Sequence, residues 1–245
     1  MALDLSFLAD TFLALLTGIP LALQLAATSI IAGGILAFGL ALMRVSGRWW
    51  LDGPAQIYIF IFRGTPLLVQ IYIIYYGLSQ FEALRHSFAW PFLREAYWCA
   101  VIALALNTAA YSAEIIRGGL ISVPAGQVEA ARACGMSNTT LFRRIVLPLA
   151  LRQMLPAYSN EIILMTKSTA LASTITLMEI TGIAAKLISA SYRPVEIFIC
   201  AGAIYLAINF IVARLFAGLE YVSTPERRTP LATPGVPETR KECHV

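Results

Sequence analysis

EAARACGMSNTTLFRRIVLP, Glu129 to Pro148, lies between two strongly apolar stretches yet is itself polar and helix-prone. A chain that otherwise reads as membrane-embedded has little reason to keep so amphipathic a segment outside the bilayer unless something docks on it. The segment therefore reads as a contact point for a soluble partner. Gly126 and Gln127 after Pro124 are expected to start one short helix, which Gly135 ends. Ser137 then caps a second helix running towards Ile145. Pro148 is expected to stop that helix and turn the chain back to the membrane.

The surroundings of this segment set the class. With 58% hydrophobic and only 13% charged residues, the 245-residue chain cannot clothe a soluble surface in polar groups, so it reads as an all-α integral membrane protein. Five stretches can cross about 30 Å of hydrocarbon as helix. They are Pro20 to Met43, Gly53 to Ser79, Glu95 to Gly118, Leu155 to Ile180 and Val195 to Ala217. Residues 1–19 are expected to lie along the outer interface, 20–218 to form the membrane domain with a loop at about 124–148, and 219–245, with four prolines, to form a disordered inner tail. Glu82 to Arg94 reads as an external loop or short helix.

Orientation follows from basic residues. Placing the N-terminus outside puts thirteen of the 18 lysines and arginines on the inner side and only four on the outer side. The formal charge of +4 is then a product of topology and calls for no nucleic-acid partner. Cys99, Cys134, Cys200 and Cys243 have no paired spacing, and two histidines, His86 and His244, make a histidine-ligated metal site unexpected.

The residues Glu129, Ala130, Ala131 and Gly135, followed by Ile145, Leu147 and Pro148, resemble the EAA motif of the membrane subunits of bacterial ABC importers. NTAAYSAEIIRGGLISVPAGQVEAA, FRGTPLLVQ and LPAYSNEIILMTKSTALAS extend the likeness from the first span to Arg214. These stretches are similar to the amino-acid importer permeases, and most to the M-type subunit of histidine, octopine and nopaline systems. The resemblance implies a type I importer permease fold in the bacterial inner membrane, N-terminus periplasmic and C-terminus cytoplasmic. It implies a non-catalytic subunit without a cofactor. Its implied partners are a homologous Q-type permease, two ATP-binding subunits, a periplasmic substrate-binding protein and membrane lipid. The paired-helix loop would sit in a groove of the ATPase, with Ala130, Ala131 and Gly135 allowing close approach and Arg132, Arg143 and Arg144 meeting acidic groups.

The route through the membrane is read from polar groups inside the spans. Gly64, Thr65 and Pro66 fall near the middle of the second span and should interrupt it. Pro66 is expected at the first position of a new half-helix with Thr65 as its cap, where an amino-acid carboxylate could bind beside Arg63. Arg63 could instead pair with Glu114 or Glu161. An ionisable group at the bilayer centre costs roughly 2.5 kcal/mol or more unless it faces protein or water. Asn160, Glu161, Lys167, Ser168, Thr169 and Glu179 should therefore line the interior, with Glu161 placed to receive a cationic group and Lys167 and Ser168 nearer a gate. Glu114, Glu161 and Glu179 suit a basic amino acid or opine. An importer of neutral or acidic amino acids and an ion-coupled transporter are the alternatives.

Overall fold

The computed structural model describes residues 5–223, and every regular element among them is helical. The chain opens with α1 (Leu5–Leu16) and α2 (Ile19–Val45), separated only by Thr17 and Gly18. Pro20 lies in the first turn of α2, where its missing N–H has no intrahelical partner to lose. Helix α1 packs on the bundle: Leu15 is fully buried in a cluster with Ile180, Ile197 and Ile204. Gly18 makes this possible, because a Cβ there would lie 2.6 Å from the backbone nitrogen of Ile180.

Next come α3 (Trp49–Gly64) and α4 (Leu67–Tyr72), the latter prolonged by a π turn at Ile73–Gly77 and a 3-10 turn at Leu78–Gln80. The two halves meet at 104°, so the interruption expected at residues 63–66 is a sharp corner. Two short helices, α5 (Glu82–Arg85) and α6 (Trp90–Leu93), make up the connection that follows.

The centre of the fold is α7 (Ala96–Ile121), whose alanines at 100, 103, 109, 110 and 113 are buried. Small side chains let neighbouring backbones come close without a hydrophobic drive between helices, which lipid does not supply. The closest approach is to α2, where a Cβ on Gly33 would sit 2.3 Å from Cγ2 of Thr108 and 2.7 Å from the Ala105 carbonyl oxygen.

Beyond α7 lie α8 (Ala125–Ala133) and α9 (Asn138–Leu141), then a π turn at Phe142–Val146 that leads into α10 (Leu147–Ser168). A 3-10 segment, Thr169–Ile175, follows and bends by 47° into α11 (Ile180–Ser191). The last helix, α12, runs from Pro194 to Ser223. It therefore carries residues 219–223, drawn above as the start of a tail; the rest of that tail lies outside the described residues.

Three elements, Leu5–Val45, Ala96–Ile121 and Pro194–Ser223, are each long and apolar enough to cross a bilayer, and the two bent pairs make five if each is one span. Exposed large apolar side chains such as Ile35, Phe60 and Leu206 coat the outside of the bundle, the inverse of a soluble surface.

Candidate functional site

Pro66 explains the local geometry of the corner. An α-helix would satisfy the Phe62 carbonyl with the N–H of residue 66, and proline has none. Side-chain amides take its place: Gln70 Nε2 donates to the Phe62 oxygen at 2.9 Å and Asn107 Nδ2 at 3.2 Å. The helix resumes at Leu67, with Pro66 in the cap position and no side-chain cap. Thr65 is thus not the cap expected from sequence. Its hydroxyl turns back to donate to the Ile61 carbonyl at 2.8 Å and accepts from Gln70 at 2.7 Å.

Arg63 and Gly64, at the end of α3, face a cavity of about 530 Å³ shared with Tyr111 and Glu114 of α7 and with Arg44 of α2. The structure thus brings together Arg63, Gly64 and Glu114, which sequence proposed. Glu114 is already engaged. It accepts from Arg44 Nε at 3.1 Å and from Arg117 at 2.8 Å, while Arg44 also binds Asp52. Arg63 pairs with neither carboxylate in the manner anticipated; its guanidinium lies over the Tyr111 ring. Arg44 and Arg117 are ion-paired with Asp52 and Glu114, whereas the Arg63 charge is felt by the buried Glu161 without a direct ion pair.

The residues proposed on α10 do not reach this cavity. Glu161 is buried against α7 and accepts from the Thr108 hydroxyl at 2.7 Å. Asn160 and Lys167 are exposed, and the Ser168 hydroxyl donates to the Leu164 carbonyl at 2.9 Å. Glu179, fully buried, is the N-cap of α11, accepting from Gly182 N at 2.9 Å and from the Tyr205 hydroxyl at 2.6 Å. Its role here is to start a helix, and no cation faces it in these contacts.

Sequence reading missed Tyr111, Asn107 and Gln70. A signal existed: residues 107, 111 and 114 recur at i, i+4 and i+7, so they share one face of α7. Gln70 stands one turn after the proline whose lost donor it replaces.

The polar loop is built from local rules. At the end of α8, Met136 N–H bonds the Ala131 carbonyl and Gly135 N–H the Arg132 carbonyl, a Schellman closure that needs the left-handed φ of +75° at Gly135. Ser137 caps α9 by accepting from Thr140 N. Pro148 does not end the second helix. The N–H of Leu147 reaches back five residues to Phe142, and this wider π turn carries the chain past the proline, which then occupies the first turn of α10. Glu129, Ala130 and Arg132 are exposed, as are Arg143 and Arg144, which border a hollow of about 450 Å³ with Thr139 and Thr140. Ala131 faces inward and is 6% exposed, so it supports the loop from within.

The chain as a whole has well-matched relatives. The chain is 71% identical over 245 residues, all of both sequences, to the octopine transport system permease protein OccM of Rhizobium meliloti. It is 51% identical over 227 residues to the nopaline transport system permease protein NocM of Agrobacterium fabrum, covering 92% of this chain and 94% of that one. A chain in the crystal structure of an amino acid ABC transporter with histidines superposes with a TM-score of 0.79 at 34% identity, covering 94% of this chain and 100% of that one. The fold is accordingly that of a type I ABC importer permease. Residues 29–220 match the sequence pattern of the binding-protein-dependent transport system inner membrane component, and the chain belongs to that family.

Proposed function

We propose that this permease forms half of the pathway by which an ATP-driven importer brings opines or basic amino acids across the bacterial inner membrane. The observation that carries the reading is full-length identity of 71% to an octopine permease. The cavity supports it chemically. Opines are amino acids whose nitrogen carries a second carboxylate-bearing group derived from a keto acid, and the Arg63 guanidinium beside the Tyr111 ring suits that added carboxylate.

In this reading both bent pairs are single spans, giving five, with the N-terminus periplasmic and the C-terminus cytoplasmic. The subunit works beside a homologous Q-type permease, two ATP-binding subunits and a periplasmic binding protein. It performs no chemistry of its own. ATP closes the ATPase dimer, the loop built from α8 and α9 moves with it, and the spans rock outward to accept substrate. ADP release reverses the motion. Arg63, Gly64 and Glu114 border the pathway, with Thr65, Asn160, Glu161, Lys167 and Ser168 along or behind it. Glu129, Ala130, Arg132, Gly135 and Arg143 meet the ATPase, while Ala131 and Pro148 shape the loop.

Because Glu114 is occupied by two arginines, acidic amino acids are the second reading. The two are separated by reconstituting the assembled importer with its binding protein in vesicles and presenting octopine, arginine and glutamate. The primary reading expects vanadate-sensitive uptake of octopine or arginine and none of glutamate. Glutamate-selective uptake overturns the substrate assignment, and uptake indifferent to vanadate overturns the ATP-driven mechanism.

A further inference from the structure

We infer that the buried amide pair Gln70 and Asn107 positions the corner of the broken helix, holding Arg63 and Gly64 at the cavity. The inference rests on the pathway reading above and adds to it two residues that touch no substrate.

The hydrogen-bond inventory fixes how the two amides are arranged. Gln70 Nε2 meets three acceptors: the Phe62 carbonyl at 2.9 Å, the Thr65 hydroxyl at 2.7 Å and the Thr65 carbonyl at 3.2 Å. The Thr65 proton is spent on Ile61, so that hydroxyl can only accept. Asn107 Nδ2 divides its two protons between the Phe62 carbonyl at 3.2 Å and Gln70 Oε1 at 3.0 Å. Rotating either amide would set oxygen against oxygen. The network has one self-consistent orientation, and both side chains are less than 10% exposed. Unmet polar groups there would be costly.

The pair also connects elements. Gln70 belongs to the half-helix after the corner, Phe62 to the half before it, and Asn107 to α7, one turn from Tyr111. One cluster therefore sets the angle of the corner and its placement against the helix that carries the far wall of the cavity. Gln70 and Asn107 are positioning residues, and the corner travels with α7 as a single body during transport.

The test uses the complete importer in vesicles, with nitroxide labels at Ile57 and Ile73, two exposed sites on either side of the corner, and the native cysteines replaced. Gln70→Leu is expected to broaden the distance distribution between the labels. Maximal octopine uptake should fall at least tenfold while the Michaelis constant for the loaded binding protein changes less than threefold. Adding Pro66→Ala returns an N–H opposite the Phe62 carbonyl; assembly is then wild-type, the labels report a straighter helix, and uptake stays low. Unchanged distances and uptake in Gln70→Leu overturn the inference. So does recovery of uptake in the double variant, since satisfying one carbonyl would then be all that Gln70 does. Arg63→Ala, made in parallel, separates the two levels: normal uptake in that variant removes the pathway reading, whereas the label distances report on the corner whatever passes through it.

Discussion

The guanidinium carbon of Arg63 stands 5.0 Å from the centroid of the Tyr111 ring, across the cavity edge between α3 and α7. Glu114 lies one turn beyond Tyr111, yet it is taken by Arg44 and Arg117. The ring, and not a carboxylate, is thus what makes the direct contact to the Arg63 guanidinium.

This arrangement separates stability from transport at Arg63. An exposed cation–π contact contributes about 0.5–1 kcal/mol. Arg63→Ala should therefore leave thermal unfolding of the purified complex within about 1 kcal/mol of wild type while lowering octopine uptake at least tenfold. Arg63→Lys keeps the charge but not the planar stack, and falls between. Uptake in vesicles and melting of the same preparations check both halves.

Two residues of the loop divide in the same way. A Cβ at Gly135 meets nothing within 4 Å, so Gly135→Ala pays only for its positive φ, roughly 1–2 kcal/mol locally. Glu129 is exposed at the surface, and Glu129→Lys should shift stability by no more than about 0.5 kcal/mol. Gly135→Asp and Glu129→Lys are both expected to reach the membrane in normal amounts but to lose the co-purifying ATPase. Retention of the ATPase by both variants would contradict docking at this loop.

At the start of α11 the expectation is structural. Glu179→Ala removes the cap on Gly182 and leaves the Tyr205 hydroxyl without its carboxylate, a loss of about 1–3 kcal/mol. Tyr205→Phe removes one of those bonds and should cost less, about 1 kcal/mol. The ordering, read from melting temperatures of the solubilised complex, distinguishes a cap from a substrate ligand: a ligand role would instead leave melting unchanged and abolish uptake.

What could be read in advance depended on how local the governing interaction is. The Gly135 turn and the Ser137 cap involve neighbours a few residues apart, and both stand where the residue types place them. The break at residues 63–66 was equally legible, since glycine and proline act on their own backbone. Its repair was not, because Asn107 is distant in sequence from Phe62. Glu179 looked like a pathway group for the same reason: its partner Tyr205 is on another helix. Pro148 misled in the opposite sense. A proline ends a regular α-helix, but the π turn before it shows that the bonding pattern can widen to let it through.

That π turn has a mechanical meaning. Between Asn138 and Ile175 there is no loop, only one helical run of about 55 Å at the usual rise per residue. A loop at Pro148 would absorb a displacement of α9 as slack, and the helical run leaves no such loop there. On the proposed docking of this loop, movement imposed on Thr139 would reach α10 as tilt.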